Sequence, residues 1–327
     1  MNIVLIVPTG IGAEIGGHAG DANPLAKLFG SLCDNLITHP NVVNASDINE
    51  MPENTLYVEG SILDRFLRGE IYLKKVHRNK ILLVVNPPVD INTINSVSAA
   101  RVTIGANISI VVLETPLQLI ANYKNGKASG IVIGWDDLIE QVNKYEFDAL
   151  AIQTKIEVDK EVAECYLRNG GINPWGGVEA KASKLISDGL DKPVAHAPLD
   201  SGLFNDFKEI VDPRLSAEVV SISYLHCIIK GLNKAPRIDY NSGLSIDDVD
   251  FLISPYGCVG EPHWACMKSG IPIIVVRENK TCLNEEIPKE FIVVENYLEA
   301  AGLISCYKAG ITVESIRRPI ESTIIIE

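Results

Sequence analysis

The 327-residue chain carries 42 acidic against 29 basic residues, a net charge of −13 with the histidines neutral, and 46% hydrophobic residues. That balance, with Lys and Arg scattered, argues against nucleic-acid binding, because phosphate contacts need a positive field. Apolar runs are strand-length, far short of the ~18 residues of a membrane span, and no basic region with a cleavage site opens the chain. A globular, cytoplasmic protein is expected.

The seven cysteines are dispersed without a Cys-x-x-Cys pair. They read as reduced thiols filling a core, not as a disulfide or zinc framework. Residues 2–7 read as a buried strand that runs into a loop holding Gly10, Gly12, Gly16, Gly17 and Gly20. A helical pattern then covers 24–38. Further strands are expected at 55–58, 81–85, 108–113 and 131–133, with helices at 61–69, 92–101 and 135–144. Beyond residue 146 the pattern predicts strands at 149–153, 193–195, 249–254, 271–276 and 291–294, and helices at 177–189, 217–232, 261–269 and 297–309. The β-branched tail 322–326 reads as one last strand. Strand and helix alternate throughout, which predicts an α/β protein with mainly parallel sheets. Two Rossmann-like lobes, 1–146 and 147–327, are expected to face each other across a cleft that takes a small ligand.

The glycine loop has the setting of a phosphate site but not its spacing. The dinucleotide fingerprint needs Gly-x-Gly-x-x-Gly, whereas Gly10, Gly12 and Gly16 are one residue too long and enclose Glu14. What the loop offers instead is His18 and Asp21, on a backbone that Gly16 and Gly17 leave open to close approach. His39, followed by Pro40 and Asn41, His196 and His263 likewise stand near strand ends beside Pro or Gly. Such positions are where α/β proteins place ligand-binding residues.

In the 192–206 stretch His196 closes a strand, and Asp200 and Ser201 follow the proline turn. The histidine reads as a general base oriented by a carboxylate, or as a metal ligand; the structural alternative is a capped turn. In the 248–279 stretch Cys258, Glu261 and His263 follow a strand end, and the next strand closes on Arg277. This rhythm is similar to the half-site of nucleotide-sugar epimerases and related glycosyltransferases, which implies roles for Glu261 and Arg277. It also resembles the cysteine loop of the aspartate/glutamate racemase superfamily, whose second thiol would have to come from Cys33, inside an expected core helix. The 167–185 stretch reads as a flexible loop bearing Trp175, with Glu179 and Lys181 in the helix after it. Glu59 ends another strand.

Taken together, the segments PTGIGAEIGGHAGDANP, ITHPNVVNAS, LYVEGSILDRF, YLHCIIKGLNKAPRI and SPYGCVGEP resemble a bacterial family of unknown function, numbered 3326 and common in cyanobacteria. The resemblance spans essentially the full length and implies a soluble, stand-alone protein without implying a reaction. The residues themselves favour an isomerase, lyase or hydrolase acting on a small polar, anionic metabolite by acid–base or metal-assisted chemistry. His196, Asp200, Cys258, Glu261 and His263 are the catalytic candidates. Gly16, Gly17, His18, Asp21, His39, Asn41, Glu59, Ser201 and Arg277 are the substrate-binding candidates. The donor types leave a divalent metal open. A small-molecule substrate is expected, with neither nucleic acid nor membrane as partner, and association into a homo-oligomer is left open. The alternatives are a nucleotide-sugar enzyme and a non-catalytic small-ligand binding protein.

Overall fold

The computed structural model describes residues 1–326 apart from 49, 125, 201 and 203–208. The chain begins with β1 (Asn2–Leu5), α1 (Asn23–Leu32), β2 (Asn35–Thr38), α2 (Pro40–Val43), β3 (Thr55–Tyr57), α3 (Gly60–Leu67) and β4 (Tyr72–Lys74). Next come β5 (Lys80–Val85), α4 (Ile91–Thr103), β6 (Asn107–Val112), β7 (Gln118–Lys124), β8 (Lys127–Ile133) and α5 (Trp135–Val142). They are followed by β9 (Ala149–Thr154), β10 (Ile156–Glu157), α6 (Lys160–Asn169), α7 (Gly176–Leu190), β11 (Val194–Pro198), α8 (Ser216–Val220) and α9 (Leu225–Asn233). The rest comprises β12 (Arg237–Asp239), β13 (Phe251–Pro255), α10 (Glu261–Lys268), β14 (Ile273–Val276), β15 (Ile292–Val294), α11 (Tyr297–Ala309) and α12 (Val313–Ile316).

Two parallel sheets carry the architecture. The six-stranded sheet runs β3-β2-β1-β13-β14-β15. In chain order this is the 3-2-1-4-5-6 arrangement of doubly wound folds. The four-stranded sheet runs β11-β9-β5-β6, also parallel throughout. Strands β1, β9 and β13 are apolar and buried almost without interruption, as strands covered on both faces must be. Helix α9 joins the sheets: Leu225, Ile228, Ile229 and Leu232 share one core cluster with Ile3 and Ile253 of the first sheet and Leu83 and Ala151 of the second.

The protein is therefore α/β with mainly parallel sheets, as the alternation predicts. The expected cut near residue 146 does not follow the sheets. It would separate β5 from β9, which pair in register from Ile81 with Ala149 to Val85 with Gln153. The second sheet is instead inserted whole between the third and fourth strands of the first. The expected helix 24–38 also divides. It stops at Leu32, Cys33 turns extended, and the four buried residues of β2 take a central place in the sheet. Sheet pairing there overrides local helical periodicity. The tail 322–326 is exposed and forms no strand, since nothing in the chain pairs with it among the described residues. Strands β4, β7, β10 and β12 and helix α6 were not legible as periodic runs. No single helix among the described residues is long and apolar enough to cross a membrane.

The glycine loop owes its composition to close packing. A Cβ on Gly17 would lie 2.1 Å from the Ala13 carbonyl oxygen, and Gly16 combines φ +88 with a Cβ position 2.7 Å from Val7 Cγ1. Only glycine meets such contacts without displacing its neighbours. Fully buried Asn279 ties the loop down: its Oδ1 accepts from Ile15 N at 3.0 Å, and its Nδ2 donates to Ile15 O at 2.9 Å and Tyr297 Oη at 2.7 Å. Asn279→Ala should leave these buried groups unpaired and cost about 2–4 kcal/mol. Urea unfolding checks this, a midpoint within error of the parent contradicting the anchoring role.

Candidate functional site

A cavity of about 220 Å³ opens where the carboxyl ends of strands from both sheets meet. The first sheet supplies Thr9 after β1, His39 and Asn41 after β2, and Glu59 after β3; the second supplies His196 on β11 and Asp200 just beyond it. Gly17 and His18 of the glycine loop, Glu179 of α7 and Glu218 of α8 also line it. Ligands of open parallel sheets bind beyond such carboxyl ends, because the crossover connections leave the loops there free to diverge.

Two hydrogen-bonded relays reach this cavity. In the first, His196 Nδ1 stands 2.9 Å from Glu179 Oε1 and its Nε2 stands 3.0 Å from Thr154 Oγ1. A carboxylate can only accept, so the ring donates through Nδ1 and accepts the Thr154 hydroxyl at Nε2. The His196 side chain is 1% exposed and that of Glu179 is 24% exposed. Both imidazole nitrogens are thus occupied in the wall, and Glu179 is the group presented to a ligand. The base role expected of His196 finds no free ring nitrogen, and Glu179 is the more exposed of the pair.

In the second relay, His18 Nδ1 stands 2.7 Å from Tyr166 Oη, and Tyr166 donates to Glu218 Oε1 at 3.1 Å. The same oxygen accepts from Ala19 N at 3.0 Å and Asn173 Nδ2 at 3.1 Å. With the tyrosine proton on Glu218, His18 donates through Nδ1 and keeps the Nε2 lone pair. Burial, helped by the Arg214 charge, pushes His18 down to about 4. Burial raises Glu218 to about 7, against the hydrogen bonds that favour its charged form.

The remaining lining is fixed from behind. His39 Nε2 accepts from Val7 N at 3.1 Å, so its proton sits on Nδ1, and burial pushes it down to about 4. Asn41 Nδ2 donates to Val7 O and Gly16 O, each at 2.8 Å, strapping the glycine loop to the end of β1. Glu59 caps α3: its Oε2 accepts from Ser61 N at 2.8 Å, from Ile62 N at 3.2 Å and from the Ser61 hydroxyl. Burial raises its pKa.

The cavity thus brings together Gly17, His18, His39, Asn41, Glu59, His196 and Asp200. Gly16 and Asp21 lie behind its wall, where Asp21 Oδ1 accepts from Gly16 N at 2.8 Å and burial raises the carboxyl to about 7. Ser201 falls outside the described residues. Cys258, Glu261, His263 and Arg277 do not line the cavity, because β13 and β14 lie on the far side of β1 from β2 and β3. His263 is buried, its Nε2 2.8 Å from Ser254 Oγ and its Nδ1 accepting from Gly260 N at 3.2 Å at the start of α10. Cys258 packs beside Thr281, and burial pushes its thiol up to about 11, the opposite of an activated nucleophile. Glu261 is exposed and 3.8 Å from Arg68. Arg277 pairs with Glu295 at 3.2 Å and lies over the Tyr256 ring. Among the described residues no group of three His, Cys, Asp or Glu side chains could hold a metal ion, so the metal left open by the sequence has no ligand set there.

Sequence reasoning missed Thr154, Tyr166, Asn173 and Glu218, and gave Glu179 only a place in the helix after a flexible loop. Glu218 alone left a trace, as a single acid among the apolar residues of 215–220. The partners of His18 and His196 lie 17 to 148 positions away along the chain, and no local pattern encodes such pairings.

A family model described as a protein of unknown function (DUF3326) matches residues 2–317. A relative from Synechococcus sp., named an uncharacterized lipoprotein, is 35% identical over 334 aligned residues, covering 94% of this chain and 91% of its own length. No solved structure matches. The relative's name overturns the expectation of a cytoplasmic protein.

The opposed shifts make a pH test. His18 has its folded pKa depressed, so its contribution is present above about 6.5 and lost as pH falls toward 4. Glu218 has its folded pKa raised, so its contribution is present below the ordinary 4.5 and lost as pH rises through about 7. Glu218→Gln should therefore gain stability relative to the parent between pH 4.5 and 7.5, by on the order of 3 kcal/mol. Urea midpoints at the two pH values check the slope; a slope of opposite sign means that the folded protein holds this carboxyl charged. Imidazole nitrogen shifts should keep His18 and His39 neutral down to pH 5.

Proposed function

The chain belongs to the DUF3326 family, and we propose that the cavity catalyses proton transfer on a small polar metabolite, in an isomerase, lyase or hydrolase reaction. The observation that carries this reading is that two separate relays end at one cavity, each in a group able to accept a proton. Glu179 serves as the base that meets the substrate. His196 holds the other carboxylate oxygen and Thr154 fixes the ring, so the base has one orientation. His18 acts from the second relay, with its Nε2 toward the substrate and Tyr166 and Glu218 behind it.

The two relays also sense each other's charge. The Glu179 carboxylate is among the causes that raise Glu218. Neutralising Glu179 by a substrate proton therefore lowers the proton affinity of Glu218; with Glu218 protonated the second relay runs the other way, Glu218 donating to Tyr166 and Tyr166 to His18 Nδ1, and the proton leaves from His18 Nε2. A base and an acid with linked protonation are what general acid–base catalysis needs near neutral pH.

Incubation of the purified protein with a bacterial metabolite extract, followed by mass spectrometry, tests the reading. One compound should be depleted with a matching product, and Glu179→Gln should slow that conversion by about 10²–10⁴-fold while still retaining the compound. A compound that is retained but unchanged by the parent protein identifies a binding protein and ends the catalytic reading.

A further inference from the structure

One wall of the cavity takes no part in either relay. It is formed by the segments after β2 and β3 and carries His39, Ser46 and Glu59. Ser46 is 4% exposed, and its hydroxyl has no hydrogen-bond partner among the described residues. Its backbone is held at φ +55, a conformation that a serine adopts only under constraint. Glu59 is 5% exposed. Its Oε2 takes every donor that the protein offers it among the described residues, which leaves Oε1 without one. His39, with Nε2 occupied by Val7 N, presents an N–H at Nδ1. The Ser46 hydroxyl has almost no accessible surface and stays behind the wall, whereas the unpaired Glu59 Oε1 and the His39 Nδ1–H are open to the cavity and free to take a ligand.

The charge of the cavity narrows what that ligand is. Its described lining includes the carboxyl groups of Glu59, Glu179, Asp200 and Glu218, and no lysine or arginine. Arg214 stands outside the lining, held by Asp212 at 3.0 Å and Glu14 at 3.3 Å. An anion entering here would lose its water for carboxylates and uncharged imidazoles, the costliest exchange available to it. A cation would gain an unpaired carboxylate oxygen in a low-dielectric setting, where that attraction is strongest.

We infer that this wall is the binding subsite for a small hydroxylated amine, its ammonium against Glu59 Oε1 and a hydroxyl oxygen on the His39 Nδ1–H. The inference rests on the reading of the cavity as the reacting site and gives its substrate a chemical class. It replaces the anionic substrate expected from the sequence.

Calorimetric titration of the full chain with three matched series tests it: ethanolamine, ethylene glycol and glycolate; serinol, glycerol and glycerate; glucosamine, glucose and gluconate. At least one amine should bind ten-fold or more tightly than both of its counterparts. Glu59→Gln, which can still cap α3, should weaken that amine at least ten-fold. The comparison of each amine with its matched anion on the parent protein covers the case in which this variant does not fold. An anion that binds more tightly than its matched amine, no amine binding in the millimolar range, or unchanged amine affinity in Glu59→Gln would overturn the subsite. An amine bound by the parent protein and never converted keeps the subsite and removes the catalytic reading; conversion of an anionic compound does the reverse.

Discussion

Strand β1 sits between β2 and β13, joining the first residues of the chain to its last third in one parallel sheet. Parallel pairing obliges each strand to be followed by a crossover, so all carboxyl ends share one edge. The second sheet obeys the same constraint, and α9 packs a common core between the two. The cavity follows from this arrangement. It lies where two sets of strand ends meet, and the glycine loop that leaves β1 is folded tightly enough to bring His18 to its wall.

The electrostatics of the cavity are those of a site that has excluded water from its polar groups. Burial keeps His18 and His39 neutral and moves Glu218 toward neutrality, while hydrogen bonds to backbone N–H groups pull the acids back toward the charged form. Perturbed carboxyl and imidazole groups of this kind gather at functional sites. The same burial makes the geometry exact in its demands. His39 and His196 each have a nitrogen committed to a partner that can only donate or only accept, so each of those rings has one tautomer.

Packing against the glycine loop shows how the same residues serve structure and site. Asn41 and Asn279 hold the loop by its backbone from two sides, and Asp21 caps it from within. Asp21 Oδ2 is left without a partner among the described residues. The burial that isolates this oxygen also raises the carboxyl to about 7. Of the polar groups that the sequence places in this loop, His18 reaches the ligand space and Asp21 supports the turn that puts it there.

The sequence by itself determined the α/β class, the buried strands and the crowding of polar residues near strand ends, because burial and alternation are written in local periodicity. His18, His39, Glu59 and His196 were legible for that reason: each follows or closes a strand beside a breaker. Cys258, Glu261, His263 and Arg277 carry the same local signature, yet they belong to strands on the other side of β1. Strand order decided between the two groups, and strand order is a matter of pairing between segments up to about 250 residues apart. The partners that give the histidines their chemistry, Glu179, Thr154, Tyr166 and Glu218, were likewise decided only by tertiary structure. A hydrogen bond requires proximity in space, and the crossovers of parallel sheets bring together residues that the chain keeps far apart.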